Sequence, residues 1–369
     1  MIWAIPLPGL KQIISAIFNK NSNLNSRWEI EKYYGPFWMR SGSEILAWIC
    51  ETTIRKKGRG IQILLPAYFC GQSLRYLRSL DVKFLFYPSD INNISDKKFI
   101  QSIVKENEID IFLLVHYFGI INVCTQRYIK TFCDANNILV IEDYAHFNHP
   151  NMNSQFLGNY VFFSPRKHYP IKNGAALYSL ERMDNFIYER EKIPLLWYLK
   201  RIARRYCNYL LLSNKPAGRQ NSAEVNLISF KEPSNFDYKM LAYYSGNIEH
   251  YQKLVYHNVY LLDKLISEPK IAARVGKVRV FNANITYLYP MIFHHTKDVE
   301  VFIKIFSKNK IPAIIWPDLP LEIVNVFAEY DKILDQVKKT IFIPVHHDIN
   351  GEKLVKILRY CFDDKIQIA

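Results

Sequence analysis

The sequence predicts an α/β fold, with a three-layer, mostly parallel sheet in a large domain and a smaller C-terminal α+β domain. Two observations carry this prediction. From about residue 42, short and nearly continuous apolar runs alternate with helical patterns, as in parallel sheets that helices cover on both faces. After about residue 245 this alternation gives way to a long helical pattern and few strands. We therefore predict a large domain at 1–245, with an N-terminal arm, and a small domain at 246–369.

The alternation of the large domain is predicted to begin with a helix. "SEILAWICETTIRKKG" has apolar residues at helical spacing and ends at Gly58, and glycine often follows the last helical residue. Ser95 is a predicted N-cap of a later helix. Strands are predicted at "IQILLP", "VKFLFY", "IDIFLLV", "ILVIED", "YVFFS" and "AALYS", and helices at "GQSLRYLRSL", "SDKKFIQSIVKEN" and "TQRYIKTFCDANN".

The small domain is predicted to contain more helix than strand. It opens with the long helical pattern "GNIEHYQKLVYHNVYLLDKLIS", and "ITYLYPMIF" follows as a strand. Further helices are predicted near 297–309, 321–339 and 351–361. The segment 213–236 is polar and irregular, and we interpret it as a hinge or an active-site loop.

The charge of the chain favours an anionic partner. The formal net charge is +14 and the pI is about 9.3, which suits nucleic acid, an acidic membrane surface or a phosphorylated substrate. We expect no nucleic-acid binding, because the sequence has no zinc finger, RNP motif or basic repeat. Residues 190–206 interleave Lys and Arg with Leu, Trp and Tyr. This helix either packs on its own domain or makes a peripheral membrane contact.

Several sequence features favour a cytoplasmic protein. No apolar run approaches the ~18 to 20 residues of a membrane-spanning helix, and the first residues lack the basic leader of a signal peptide. The six cysteines are scattered without a CxxC motif, as expected in a reducing compartment. We also expect no metal site, because the histidine pairs 294–295 and 346–347 would point to opposite faces of a strand.

Polar residues follow the predicted strands where each strand ends, which is where ligands bind in open parallel sheets. Ahead of the first helix, Ser41–Ser43 form a Gly-Ser turn with free N–H groups that suit a phosphate. The residues after successive strands are Tyr68 and Phe69; His116, Tyr117, Phe118 and Gly119; Asp143, Tyr144, Ala145 and His146; and Ser164 and Lys167.

This set of residues matches the requirements of pyridoxal phosphate (PLP). The cofactor's aldehyde needs a lysine, its ring nitrogen needs a carboxylate, and its ring face needs a flat side chain. Its phosphate needs a helix N-terminus and hydroxyl groups. Each feature alone is weak, because Asp143 could cap a strand and Ser164 could be a turn residue. The order of the features, each at the end of a strand, predicts a PLP site.

The sequence resembles the DegT/DnrJ/StrS sugar aminotransferases, which are PLP transferases of fold type I. "VIEDYAHF" and "SPRKHYPIKNGAAL" are similar to the family's "IEDAAQ/H" segment and to its lysine loop ending in "GEGG". The supporting segments are "RSGSEIL", "LLPAYFCGQS", "LLVHYFG" and "TIFIPVHHDINGEKLVKIL". The resemblance runs from about residue 36 to 362.

The resemblance implies a role for several residues. Lys167 corresponds to the Schiff-base lysine, and Asp143 to the partner of the pyridinium nitrogen. His146 would lie near the cofactor's ring oxygen, and Phe69 would stack on its ring. The implied phosphate contacts are Gly42, Ser43 and Ser164.

The sequence also departs from the family pattern. "KNGA" replaces "GEGG", so that Lys172 matches its first glycine, and Phe162 stands where many members have a phosphate-binding serine. The interval between Asp143 and Lys167 is short, and the interface segment "NYRM" is matched only by "DYKM" at 237–240.

The implied activity is amino transfer to a nucleotide-linked keto sugar, with glutamate as donor, in a cytoplasmic homodimer that serves polysaccharide or related glycan biosynthesis. Arg166 and Lys172 are expected to meet the substrate's diphosphate. Two alternatives remain: another PLP reaction such as sugar dehydration, since some relatives with histidine in place of the lysine are dehydratases, and a degenerate relative kept for binding.

Overall fold

The computed structural model describes residues 5–18, 24–89, 97–150, 155–183, 186, 188–206, 225–276, 286–323 and 330–363. A seven-stranded sheet in the order β1-β7-β6-β5-β4-β2-β3 forms the centre of the large domain. The pairs from β3 to β6 are parallel, whereas β7 is antiparallel to both of its neighbours. The strands are β1 (Tyr34–Met39), β2 (Ile61–Pro66), β3 (Val82–Tyr87), β4 (Ile111–Val115), β5 (Leu139–Tyr144), β6 (Tyr160–Phe163) and β7 (Ala175–Ser179).

Helices flank this sheet, which confirms the predicted three-layer, mostly parallel architecture. The helix α3 begins where predicted: the Ser41 hydroxyl accepts a hydrogen bond from the Glu44 N–H at 3.3 Å, and Gly58 at φ 66° ends it. The helices of this part of the chain are α1 (Leu10–Phe18), α2 (Leu24–Arg27), α3 (Gly42–Lys57), α4 (Lys97–Glu106), α5 (Val123–Ala135), α6 (Leu195–Tyr206) and α7 (Asn235–Ser245).

The C-terminal residues form a second, antiparallel sheet in the order β10-β9-β8 with a separate apolar core. Its strands are β8 (Val275–Gly276), β9 (Leu288–Phe293) and β10 (Thr340–Pro344), and its helices are α8 (Ile248–Ile266), α9 (Pro269–Ala272), α10 (Thr296–Lys308), α11 (Tyr330–Lys339) and α12 (Gly351–Asp363). We propose the domain boundary at 245/246, between α7 and α8.

Three sequence-based expectations need correction. "GQSLRYLRSL" forms two short 3₁₀ turns, Gly71–Leu74 and Leu77–Ser79, and the Gly71 N–H ties the first of them to the distant Asp318 carbonyl at 2.7 Å. Within 321–339, the described residues form a 3₁₀ turn at Leu321–Ile323 and helix α11 at Tyr330–Lys339. Strand β1 and the sheet partner β10 were not predicted. The predicted cap Ser95 and the first half of the segment 213–236 lie outside the described residues. No helix among the described residues has the length and apolar character needed to cross a membrane.

Candidate active site

The carboxyl ends of β4, β5 and β6 bring the predicted polar residues together. Asp143 on β5 lies in register with Val115 on β4 and with Phe162 on β6. His116 and Ser164 follow those two strands, so that they flank Asp143. After Ser164 the chain turns through a 3₁₀ helix, Pro165–Lys167, which returns Lys167 toward the strand ends. Strand order thus positions the four side chains.

The carboxylate of Asp143 is buried next to a positive charge. Its Oδ1 accepts a hydrogen bond from the Ala145 N–H at 2.7 Å. Burial raises the pKa of Asp143, while Lys167 and the Ala145 N–H favour its charged form. The charged form of Asp143 therefore depends on the positive charge of Lys167.

The amine of Lys167 loses its proton more readily than an exposed lysine does. Burial lowers the pKa of Lys167, the carboxylate of Asp143 opposes that effect, and the Arg166 guanidinium adds to it. A lysine with a lowered pKa serves as a nucleophile or a base near neutral pH.

Two buried histidines lie next to this pair. Burial lowers the pKa of His146 and of His168 well below the ordinary value, and the charge of Lys167 lowers both further. Both imidazoles are therefore neutral. His146 Nδ1, His168 Nε2 and the Ser164 hydroxyl are buried without a hydrogen-bond partner. Unpaired buried polar atoms are costly, so that three of them in one place indicate a ligand site.

Aromatic rings close the site around His146. Its ring centroid lies 4.5 Å from Phe118, 5.1 Å from Trp316 and 5.7 Å from Tyr287. Sequence reasoning missed Tyr287 and Trp316, which belong to the C-terminal part of the chain. In the sequence, Tyr287 follows a threonine and Trp316 precedes a proline. Such neighbours are too common to indicate a binding site.

Beneath the site, Glu142 holds His116 and the loop after β5. Its Oε2 accepts the N–H groups of Leu157 at 2.9 Å and Gly158 at 3.0 Å, and its Oε1 lies 3.4 Å from His116 Nε2. Burial favours a higher pKa for Glu142, but these hydrogen bonds outweigh it and hold the pKa below the usual value. The His116 ring stacks on Tyr144 at 4.2 Å. Glu142 therefore organises the site without facing it.

The other predicted residues lie in the core, at the start of α3 and in the lysine loop. Phe69 is buried in the main core. Gly42 and Ser43 begin α3, and Ser41 caps that helix. A Cβ on Gly42 would lie 2.9 Å from the Phe162 ring, so the ring packs directly on the helix start. Lys172 is exposed, and its backbone N–H donates to Asp237 Oδ1 at 3.0 Å. The phosphate and stacking roles of these residues stay predictions.

Next to this site, a cavity of about 220 Å³ contains Arg166 and Lys172. It also contains Arg75, which sequence reasoning did not select.

As for metals, the described residues contain no group of three or more His, Cys, Asp or Glu side chains that could hold an ion. The histidine pair 346–347 is buried among other side chains.

No protein-family profile and no curated protein matches this sequence. Solved structures do match its fold. The PLP form of Streptococcus pneumoniae Spr1654, assigned as a sugar aminotransferase, has a TM-score of 0.65 and 13% identity, with coverage of 99% of this chain and 98% of that chain. The chain has the fold of the fold-type I PLP transferases.

Other structures with this fold differ in their reactions. Helicobacter pylori PseC, an aminotransferase of pseudoaminic acid biosynthesis, has a TM-score of 0.61 and 13% identity, with coverage of 99% of this chain and 100% of that one. Escherichia coli GDP-4-keto-6-deoxy-D-mannose-3-dehydratase has a TM-score of 0.64 and 14% identity, with coverage of 98% and 100%. The shared fold therefore leaves the reaction to be argued from the site.

Proposed function

We propose that this chain is a PLP-dependent enzyme that transfers an amino group to a nucleotide-linked keto sugar. The observation that carries the proposal is Lys167 beside the buried carboxylate of Asp143, at the ends of neighbouring parallel strands. The presence of sugar aminotransferases and sugar dehydratases among structures of the same fold supports a sugar substrate.

The residues fit PLP. When bound, PLP supplies an aldehyde for a lysine and a ring that accepts electrons. Lys167 would hold the aldehyde and Asp143 the ring nitrogen, and the unpartnered His146 Nδ1 and Ser164 hydroxyl offer polar contacts to the ring and the phosphate. The other proposed contacts are Phe69 on the ring face, and Gly42 and Ser43 at the phosphate.

Proton transfer is assigned to Lys167. Its lowered pKa makes a neutral Nζ available at lower pH, and this atom accepts the proton from the substrate carbon and returns it. Asp143 is buried, so its charged form needs a cation beside it. It would therefore bind a protonated ring nitrogen more strongly than an exposed carboxylate would. The rings of Phe118, Trp316 and Tyr287 exclude water from the reacting groups.

The partners follow from the same proposal. Arg166 and Lys172 meet the substrate's diphosphate, glutamate donates the amino group, and the enzyme works as a homodimer. The product serves the biosynthesis of polysaccharides or related glycans.

Sugar dehydration is the second candidate. His168 follows Lys167 directly and is buried with an unpartnered Nε2, so a histidine base is available at the site. Dehydratases also share the fold. The composition of the sugar product, measured by mass spectrometry, distinguishes the reactions: amino transfer replaces the keto oxygen with an amino group, whereas dehydration removes a hydroxyl group and adds no nitrogen.

The deciding experiment locates the cofactor. PLP should give the purified protein a visible absorbance band, and borohydride reduction followed by peptide mapping should label Lys167. Lys167→Ala should lose the label and remain folded, while the matched control Lys172→Ala, in the same loop, should retain it. A label on Lys172 contradicts the assignment. A protein that takes up no chromophore is instead a degenerate relative kept for binding.

A further inference from the structure

The cavity beside the lysine loop is unusually rich in charge. It lies where α3 begins and measures about 220 Å³. Small-molecule pockets usually have volumes of about 300 to 1,000 Å³. The cavity is thus large enough for one or two phosphoryl groups and too small for a whole nucleotide sugar. Its charged lining consists of Arg40, Glu44, Arg75, Arg166, Lys172 and Glu191.

Both carboxylates of this lining are already paired with one arginine. Arg40 Nε donates to Glu44 Oε1 at 3.0 Å, and Arg40 Nη1 donates to Glu191 Oε2 at 2.9 Å. The remaining cations are Arg75, Arg166 and Lys172. With four cations and two carboxylates in the lining, the cavity carries a net charge of +2.

Arg75 packs over the ring of Tyr76 at 4.8 Å, and Arg166 belongs to the same cavity lining. Neither forms an ion pair with a described residue, and the Nε of each is buried without a hydrogen bond. Burial lowers the pKa of Arg166, and the like charge of Arg75 lowers it further. The buried Glu44 carboxylate offsets part of the charge of both arginines, but it is already hydrogen-bonded to Arg40, so the two unsatisfied N–H donors favour a further anion.

We propose that Arg75 and Arg166 form a phosphate subsite that takes the phosphoryl group of a bound ligand. Guanidinium groups bind phosphate through paired N–H donors, and two of them match a dianion. The start of α3, at Ser41, adds the positive end of a helix dipole to the same cavity. The phosphoryl group belongs to the cofactor or to the nucleotide-linked substrate. This inference deepens the proposed function and rests on it for the identity of the ligand.

Inorganic pyrophosphate is the first probe, because its binding requires neither cofactor nor activity. We expect the full chain to bind it in isothermal titration calorimetry. Arg75→Gln and Arg166→Gln should each weaken the affinity about tenfold or more, the equivalent of one lost charge-assisted hydrogen bond. Arg127→Gln, an exposed arginine on α5 with the same charge change, should bind like the wild type. Equal affinity in all four proteins overturns the subsite.

A second variant separates charge from geometry and from misfolding. Arg75→Lys retains the charge and loses the paired donors, so its affinity should lie between those of the wild type and Arg75→Gln. Circular dichroism melting identifies variants that do not fold. If Arg75→Lys binds as tightly as the wild type while both variants remain folded, charge alone is sufficient and the proposed paired-donor contact fails.

Two further arms identify the source of the phosphoryl group. If the subsite holds the cofactor, Arg75→Gln weakens PLP binding and leaves pyridoxal binding unchanged. If it holds the substrate, Arg75→Gln weakens the binding of a nucleoside diphosphate and leaves PLP unchanged. An effect on neither ligand contradicts the subsite. The outcomes also separate from the proposed function: arginine-dependent pyrophosphate binding without a PLP label on Lys167 rejects the PLP enzyme and retains the subsite.

Discussion

At the scale of single residues, Asp143 and Lys167 control each other's charge. The carboxylate of Asp143 is the main influence that keeps the pKa of Lys167 from falling further. Asp143→Asn removes that influence, so the pKa of Lys167 should fall, and the amine should become reactive at a lower pH. Competitive labelling of Lys167 with acetic anhydride across pH measures this shift in the cofactor-free protein.

The same substitution should reduce kcat about 10²-fold, a typical loss when a group that stabilises developing charge is removed. Glu108→Gln is a matched control, because this carboxylate is exposed and lies before the amino end of β4, opposite to the end that carries the site. A wild-type rate for Asp143→Asn, together with an unchanged labelling midpoint, would leave Asp143 as a strand cap.

The sequence could predict that Asp143, Ser164 and Lys167 lie close together, because each lies at or just beyond the carboxyl end of an apolar strand. Their positions depend on local chain geometry and on strand order. Arg75, Tyr287 and Trp316 could not be predicted in this way, because tertiary packing brings them to the site. For example, the Tyr68 hydroxyl donates to the Trp316 carbonyl at 3.0 Å across 248 residues of sequence. No local pattern encodes such a pair.

At the scale of elements, Asp237 joins three segments near the lysine loop. In a capping box at the start of α7, its Oδ2 accepts from the Ser234 hydroxyl at 2.6 Å. Its Oδ1 accepts from the Tyr198 hydroxyl at 2.7 Å and from the Lys172 N–H at 3.0 Å. The "DYKM" segment therefore has a structural role within its own chain, whatever it does between subunits.

Asp237→Ala should destabilise the fold by about 3 kcal/mol, because it leaves buried donors from three elements without an acceptor. Urea unfolding measures this change. Asp134→Ala, which removes an exposed carboxylate on α5, should change stability by less than about 0.5 kcal/mol. Comparable small effects in both variants would show that the three segments hold together without Asp237.

Helix α6 gives a second prediction at this scale. Of its 12 residues only Tyr198 is buried, while Leu195, Leu196 and Leu199 are 63%, 65% and 51% exposed. The helix contains Lys and Arg and no acidic residue. Exposed leucines beside basic side chains fit an anionic membrane surface. We expect the protein to sediment with phosphatidylserine vesicles at low salt and to stay in solution with neutral vesicles.

Leu196→Ser combined with Leu199→Ser should abolish this sedimentation. Leu321→Ser, which changes an exposed leucine outside α6, should not. The contrary result is that the wild type does not bind vesicles and the α6 variants change the oligomeric state. In that case a second copy of the chain covers the helix, and the prediction of a membrane contact is wrong.

The sequence predicted the buried parallel strands well because their composition is nearly all apolar. Strand β1 was not predicted, because its sequence "YGPFWM" contains Gly35 and Pro36, which are uncommon inside strands. Proline is tolerated there because β1 lies at the sheet edge and pairs only with β7. The 3₁₀ turns after β2 show that helical spacing alone does not decide helix type.

At the scale of the whole molecule, the net charge of +14 should steer anionic substrates toward the site. The KM for a nucleotide-linked keto sugar should therefore rise with ionic strength, since charge screening acts over about 8 Å in physiological salt. kcat should change little. Arg166→Gln and Lys172→Gln should raise KM and weaken its dependence on salt, as measured by initial rates with glutamate at several salt concentrations.

Arg127→Gln again provides the control, because it removes one charge at an exposed site on α5. If all variants show the same salt dependence, then Arg166 and Lys172 do not contact the substrate's phosphates. If no nucleotide sugar accepts an amino group, the substrate class is wrong and dehydration becomes the leading reaction.

The pairing of β1 with β7 has a consequence for the order in which the chain folds during synthesis. Tyr34 lies opposite Ser179, so β1 can pair only after the ribosome has synthesised β7, about 140 residues later. A nascent chain that ends at residue 150 already contains β2, β3, β4 and β5, which pair with one another. Its β1 has no partner at that stage and exposes Phe37 and Trp38. Long-range closure of this kind is slow and leaves strands open to aggregation. Premature termination before β7 should therefore release fragments that need chaperones to remain soluble.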